Sequence, residues 1–566
     1  MKKLPESPQQ LLQWDWPQFE EHFNDLVNTE LSAQNVTTWL DSWSRVAECL
    51  DERGNRLYNA TTTNTADEQA REQYYLHVDE ITPRVMDAEQ KLKLKLLKSG
   101  LRPAGFEIPF RNMQAEANIF CVANLPLLAE ESRLSNEHDQ IIGAQTVNWE
   151  GQEKTVSQLK PVFLESDRLR RERTWRLVME RRLADRAAIN QLWKKMLALR
   201  VKIAANAGLP DFRAYTWQRL LRFDYTPDDC AKFHDAIEQV VVPAASRLYE
   251  HRRKMLGLDT LRPWDLEVDP LTRPPLKPYQ TVEELERKTG WVFEQVDPVL
   301  GGYFKTMVSE GLLDLENRKN KAPGAYSNEY NVINRPFIFH NAVGIHMDVQ
   351  TLFHEGGHAF HSFEYAKLPY LRQKAVPNEF AEVASMAMEL LATPYLDGKN
   401  GFYSVSDAAR ARIEHLESLI TFWPYMAVVD GFQHWVYENP QKAVKPAACD
   451  IAWAKLWKRF MPGVDWSGLE QELITGWQRK EHIHQVPFYY IEYGLAQLGA
   501  VQIWRNSLTD QAAAVASYRH ALSLGYTVSL PELFRAAGAH LVFDPDALSQ
   551  AVDFMEGTIE KLQGTV

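Results

Sequence analysis

Long apolar runs, basic charge and cysteine are all scarce in this 566-residue chain, and each shortage removes a class of function. No apolar stretch reaches the roughly 18 residues that a membrane-spanning helix needs, so no membrane partner is expected. The opening residues MKKLPESPQQ carry lysines but no apolar segment before Pro5, Glu6 and Pro8, unlike a secretory signal. Lysine and arginine number 63 against 75 aspartates and glutamates, a net charge of −12. Neutralising phosphates needs a basic surface, so nucleic acid is not an expected partner. The cysteines, Cys49, Cys121, Cys230 and Cys449, lie far apart and form no C-x-x-C pair. They are expected as small buried hydrophobes in a protein of the reducing cytoplasm. No internal repeat or low-complexity tract is found.

What the chain does have is helical periodicity. Apolar residues recur at three- and four-residue spacing over residues 14–50, 68–97 and 166–207, which predicts a mainly α fold. Two segments break the pattern. Residues 141–156 have strand formers on both sides of Glu150-Gly151 and predict a β-hairpin. Residues 335–343, RPFIFHNAV, predict a second β segment just before a helix. The threonine run 61–65 reads as a loop. The arginine-rich stretch 166–186 reads as a solvated helix face paired with Glu172, Glu180 and Asp185. An N-terminal helical region, 1–200, carrying the hairpin, and a catalytic region, 201–566, are the expected division.

The chemistry is concentrated at His354-Glu355-Gly356-Gly357-His358. Positions four apart share one helical face, so both imidazoles can reach one ion. Glu355 sits about 100° round, beside the ion, where it can take a proton from water. Val349, Leu352, Phe353, Phe360 and Phe363 predict that this helix is buried. Two mid-helix glycines, each about 1 kcal/mol worse than alanine, imply a close approach by another segment; residues 335–343 are the candidate.

A third ligand must come from elsewhere. The longer H-E-x-x-H-x-x-G-x-x-H pattern fails, because residue 361 is His and residue 364 is Glu, and Glu364 points away from the pair. Residues 378–391, NEFAEVASMAMELL, set Glu379, Glu382, Met386 and Glu389 beside an apolar stripe. Glu382 is the expected ligand, with Glu379 or Glu389 available to bond a histidine's second nitrogen. Near residue 490, HIHQVPFYYIEY puts Pro487 at a first helical position, with Tyr489, Tyr490 and Tyr493 spaced along one face. Tyrosine hydroxyls and a histidine can stabilise an oxyanion opposite the metal.

These stretches resemble the thimet oligopeptidase and oligoendopeptidase F family of zinc metallopeptidases, in its bacterial Pz-peptidase-like branch. The resemblance runs through LRPWDL near residue 261, KAPGAYSNEY from Lys321, PFIFHNAVG from Pro336, HEGGHAFH from His354, FAEVAS from Phe380 and PFYYIEYGLAQLGA from Pro487. It implies a two-lobed helical shell around a deep channel, with one Zn²⁺ per chain and short unstructured peptides as substrates. It implies His354, His358 and Glu382 as ligands, Glu355 as general base, and His482, Tyr490 and Tyr493 as the oxyanion group, with His484 competing for the histidine's place. Phe337, Phe339 and Tyr489 are expected to contact substrate, the strand around Phe337 to His340 pairing with its backbone. The alternatives are a dipeptidyl carboxypeptidase of the same chemistry and a peptide-binding protein without turnover.

Overall fold

The computed structural model describes residues 3–318 and 320–565 and is mostly helical, as the periodicity predicts. Helix α1 (Val36–Thr63) buries Val36, Trp39, Leu40, Trp43, Val46 and Leu50 on one stripe. Side chains of this kind each contribute about 1.5–3 kcal/mol when fully buried. With Leu11, Phe19, Phe23, Leu92, Leu96, Met113 and Tyr370 they form an N-terminal core. A larger core runs from Ile119 to Ile559.

The hairpin pairs β1 (Thr146–Trp149) with β2 (Gln152–Thr155). Its turn residues, Glu150 at φ 53° and Gly151 at φ 82°, have the left-handed geometry that suits a two-residue hairpin. The arginine-rich helix Arg168–Ala184 pairs Arg176 with Glu172 (2.8 Å) and Arg181 with Asp185 (2.7 Å). Arg171 departs from the solvated reading: it is 2% exposed and bonds Asp265 and the Trp264 carbonyl. The threonine run is also reassigned, because α1 continues to Thr63 and only the last residues of the run are loop.

Six further helices and one sheet frame the site. They are α2 (Pro227–Ala236), α3 (Val282–Val296), α4 (His346–Tyr365), α5 (Asn378–Ala392), α6 (Val405–Glu438) and α7 (Tyr490–Ser507), with a sheet preceding α4. The sheet comprises β3 (Leu313–Glu316), β4 (Tyr326–Tyr330) and β5 (Arg335–Ala342) in the order β3-β5-β4. Strand β5 is therefore central, parallel to β3 and antiparallel to β4. That corrects the expected pairing of β5 with a substrate backbone: both its edges are already occupied.

Helix α4 starts where Asp348, its third residue, accepts from the backbone N–H groups of Val343 (2.8 Å), Gly344 (2.7 Å) and Ile345 (3.0 Å). An acid here satisfies orphan donors and complements the helix dipole. Helix α5 packs against α4 on one side and α7 on the other.

Candidate active site

The two glycines of the motif explain how α4 and α5 meet. A Cβ at Gly357 would lie 2.5 Å from the Ala384 carbonyl oxygen and 2.6 Å from the Ser385 Cα. One at Gly356 would lie 2.5 Å from the Phe293 ring on α3. The close neighbours are thus α5 backbone and Phe293, which corrects the expected approach by residues 335–343. Gly357→Ala should overpack this crossing, costing about 1–3 kcal/mol. A lower Tm together with weakened metal binding is the expected result, read by calorimetry and metal titration.

This crossing brings Glu382 to the histidines. Donor atoms of His354, His358 and Glu382 all lie within 4.8 Å of one another. Glu382 Oε2 is 3.3 Å from His354 Nε2 and 3.7 Å from His358 Nε2. Two imidazoles and a carboxylate are a donor set that suits Zn²⁺ with a position left open. Their surroundings hold them in place. His354 Nδ1 donates to Glu389 Oε1 at 2.7 Å, and Glu389 Oε2 accepts from His415 Nε2 at 3.0 Å. Glu382 Oε1 accepts from the Tyr489 hydroxyl at 2.7 Å, and its Oε2 from Ser385 Oγ at 3.0 Å.

Of the two candidate partners for a histidine, Glu389 is the one that reaches; Glu379 instead pairs with Arg222 and Tyr225. Removing a carboxylate behind a metal-bound imidazole typically weakens metal binding 10–100-fold. Glu389→Gln should therefore lower zinc affinity by about that factor, measured by competition with a chromophoric chelator.

Glu355 is 5% exposed, and its Oε2 has no hydrogen-bond partner. Burial raises its carboxyl to about 7, with Glu382 and Glu389 pushing the same way against His354. Burial lowers His358 to about 4, and burial with Lys480 lowers His482 to about 3.

A cavity of about 780 Å³ runs from His354 to the tyrosine segment. Its lining includes His354, Glu389, His415, His482, Tyr490 and Tyr493. His482 Nε2 shares a hydrogen bond of 3.3 Å with the Tyr493 hydroxyl. The Lys480 ammonium lies 4.3 Å from the centre of the Tyr490 ring. His484 is fully buried away from the cavity, stacked on His138 at 4.0 Å.

Three expectations change here. Pro487 does not open the helix, because Phe488 at φ 66° breaks the chain and α7 begins at Tyr490. Tyr489, expected on substrate, spends its hydroxyl on Glu382. Phe339 is fully buried, stacked on Tyr326 at 4.8 Å with the Lys321 ammonium 4.5 Å from its ring, so it braces the sheet and cannot reach substrate. Phe337 is half-buried against Tyr330. Glu364 does point away from the metal group, accepting from Arg519 at 2.7 Å. His415 escaped notice because a lone histidine on a long apolar helix carries no signal until Glu389 is seen beside it.

The profile of peptidase family M3 matches residues 164–552. Oligopeptidase PepF of Bacillus subtilis (strain 168) is 24% identical over 339 residues, 57% of this chain and 47% of that protein. An oligoendopeptidase F homologue of Borreliella burgdorferi is 25% identical over 295 residues, 50% of this chain and 48% of the relative. The match thus spans about half the length of each. Among solved structures, Pz peptidase A with an inhibitor superposes with a TM-score of 0.91 at 26% identity, covering 97% of this chain and 99% of that one.

Proposed function

The chain belongs to peptidase family M3, and from that premise we propose that it is a zinc-dependent endopeptidase hydrolysing internal bonds of short, unstructured peptides. The observation that carries the proposal is the convergence of His354, His358 and Glu382 within 4.8 Å beside a buried carboxylate with an unpartnered oxygen, Glu355.

Those three side chains would hold the zinc, which would supply Lewis acidity toward water and the substrate carbonyl. Glu355 takes one proton from the attacking water as its oxygen bonds to the scissile carbon. The apolar surroundings that raise this carboxyl to about 7 suit a group that accepts and then releases a proton near neutrality. Tyr493 and His482, with Tyr490 beside them on the cavity wall, donate to the carbonyl oxygen as it gains negative charge. Glu355 then returns its proton to the amine as the C–N bond breaks, leaving one carboxylic acid and one amine. Tyr489 and Glu389 act one layer out, orienting Glu382 and His354.

Endopeptidase action is favoured over release of terminal dipeptides by the similarity to an oligopeptidase and an oligoendopeptidase F homologue. Mass spectrometry of the products from a ten-residue peptide tests this. Fragments from central bonds are expected. Exclusive release of carboxy-terminal dipeptides would replace the proposal with the exopeptidase reading, and peptide binding without any product would replace it with a binding protein.

A further inference from the structure

A second cluster of metal-ligating side chains lies behind the tyrosine segment. Among the described residues, two groups of histidine, cysteine and acidic side chains have donor atoms all within 4.8 Å of one another. One is the candidate active site; the other is Cys230, Asp430 and His434. Cys230 and Asp430 are completely buried. Neighbouring His234, 7% exposed, has its Nε2 2.9 Å from Asp430 Oδ2, and His434 Nε2 is 3.3 Å from the same oxygen.

The sequence supports the grouping. Cys230 and His234 are four apart on α2, and Asp430 and His434 are four apart on α6, so each helix presents two donors on one face. These are the same i, i+4 pairs that make His354 and His358 a chelating unit.

Angles rather than distances set these pairs apart from ordinary hydrogen bonds. At 2.9 and 3.3 Å the nitrogens are near enough to Asp430 to donate, yet neither does so with acceptable geometry. His234 Nε2, His434 Nε2 and both Asp430 oxygens are left without a hydrogen bond. An unsatisfied buried polar atom costs about 1–3 kcal/mol, more if charged, so four such atoms gathered about the Asp430 carboxylate call for a further partner. With metal–ligand bonds of about 2.0–2.1 Å, nitrogen and oxygen donors on a tetrahedron stand about 3.3 Å apart. The His434–Asp430 distance equals that value, and the His234–Asp430 distance is shorter. A divalent cation would also balance a Cys230 thiolate together with the Asp430 carboxylate, which otherwise has only the two imidazoles beside it.

We propose that Cys230, Asp430 and His434 form a second zinc site, with His234 held against Asp430 beside it. It is additional to the single ion expected from sequence, and it reassigns Cys230 from small hydrophobe to ligand. A cysteine among its donors distinguishes it from the candidate active site. Around it, Arg213 contacts His434 Nδ1 at 3.3 Å, but its ion pair is with Glu438. With zinc on Nε2, Nδ1 carries the proton and Arg213 turns wholly to Glu438.

The site would pin α2 to α6 directly behind the catalytic tyrosines. Gln433, next to His434, accepts the Phe488 N–H at 2.6 Å, and the His434 and Phe488 rings are 5.2 Å apart. Phe488 is the residue whose left-handed backbone starts the segment bearing Tyr489, Tyr490 and Tyr493.

Elemental analysis of the purified full-length protein, with optical spectroscopy of its cobalt-substituted form, tests the proposal. Two metal equivalents per chain are expected, and a near-ultraviolet thiolate-to-cobalt charge-transfer band. His354, His358 and Glu382 offer no thiolate and cannot produce that band. His358→Ala should keep the band and lose one equivalent. Cys230→Ser should lose the band while the cobalt at His354, His358 and Glu382 remains. One equivalent and no thiolate band in the unmutated protein would overturn the proposal, as would a band that survives Cys230→Ser. These readouts do not depend on peptide cleavage, so the second site and the peptidase reading can fail separately.

Discussion

Glu355→Gln is expected to lower kcat for peptide cleavage by about 10²–10⁴-fold, the usual contribution of a general base. Glutamine keeps the shape but cannot accept the proton. The substitution should not unfold the protein, because the carboxyl is already biased toward its neutral form by burial at 5% exposure, and an amide is no harder to bury. Neither His354, His358 nor Glu382 loses a hydrogen-bond partner, since Glu355 Oε2 makes no hydrogen bond. The expected signature is unchanged zinc content and Tm with nearly absent turnover. Activity within about fivefold of the unmutated protein would remove Glu355 from the proton path.

The second large effect is expected at Tyr493. Deleting one oxyanion donor typically lowers kcat by about 10²–10³-fold. Tyr493→Phe keeps the ring packed against His482 and Tyr490 (5.7 and 5.5 Å between centres) and removes only the hydroxyl facing the cavity. KM should change little, because the hydroxyl acts on charge that develops only in the transition state. Tyr489→Phe is the informative contrast. Its hydroxyl is bonded to Glu382, so the expected loss is zinc affinity, with kcat at saturating zinc largely retained. Equal kcat losses in both variants, without any change in zinc affinity, would mean that the two phenols are not divided in this way.

How far the sequence revealed this site depended on whether the information was local. His354, Glu355 and His358 were readable because helical geometry alone puts them together. Glu382 was readable because three acids beside an apolar stripe need a reason. The hairpin was readable from Glu150-Gly151. Where prediction failed, the missing information was tertiary. The glycines announced a close approach, but only the crossing with α5 identifies Ala384 and Ser385 as the neighbours of Gly357. Phe337 and Phe339 marked a strand correctly, yet nothing in their pattern tells a central strand from an edge, and that distinction decides whether substrate can pair there. Cys230-x-x-x-His234 and Asp430-x-x-x-His434 are each unremarkable alone, roughly 200 residues apart, and acquire meaning only when α2 meets α6.

The central claim is that the metal group at His354, His358 and Glu382 drives peptide hydrolysis. It is tested most directly by cleavage of a quenched-fluorescent peptide of about eight residues, before and after chelation and again after zinc is restored. The account predicts internal cleavage that chelation abolishes and zinc restores. Cleavage that persists in protein shown to have lost the zinc at these residues, or no cleavage by protein shown to hold it, would contradict the account.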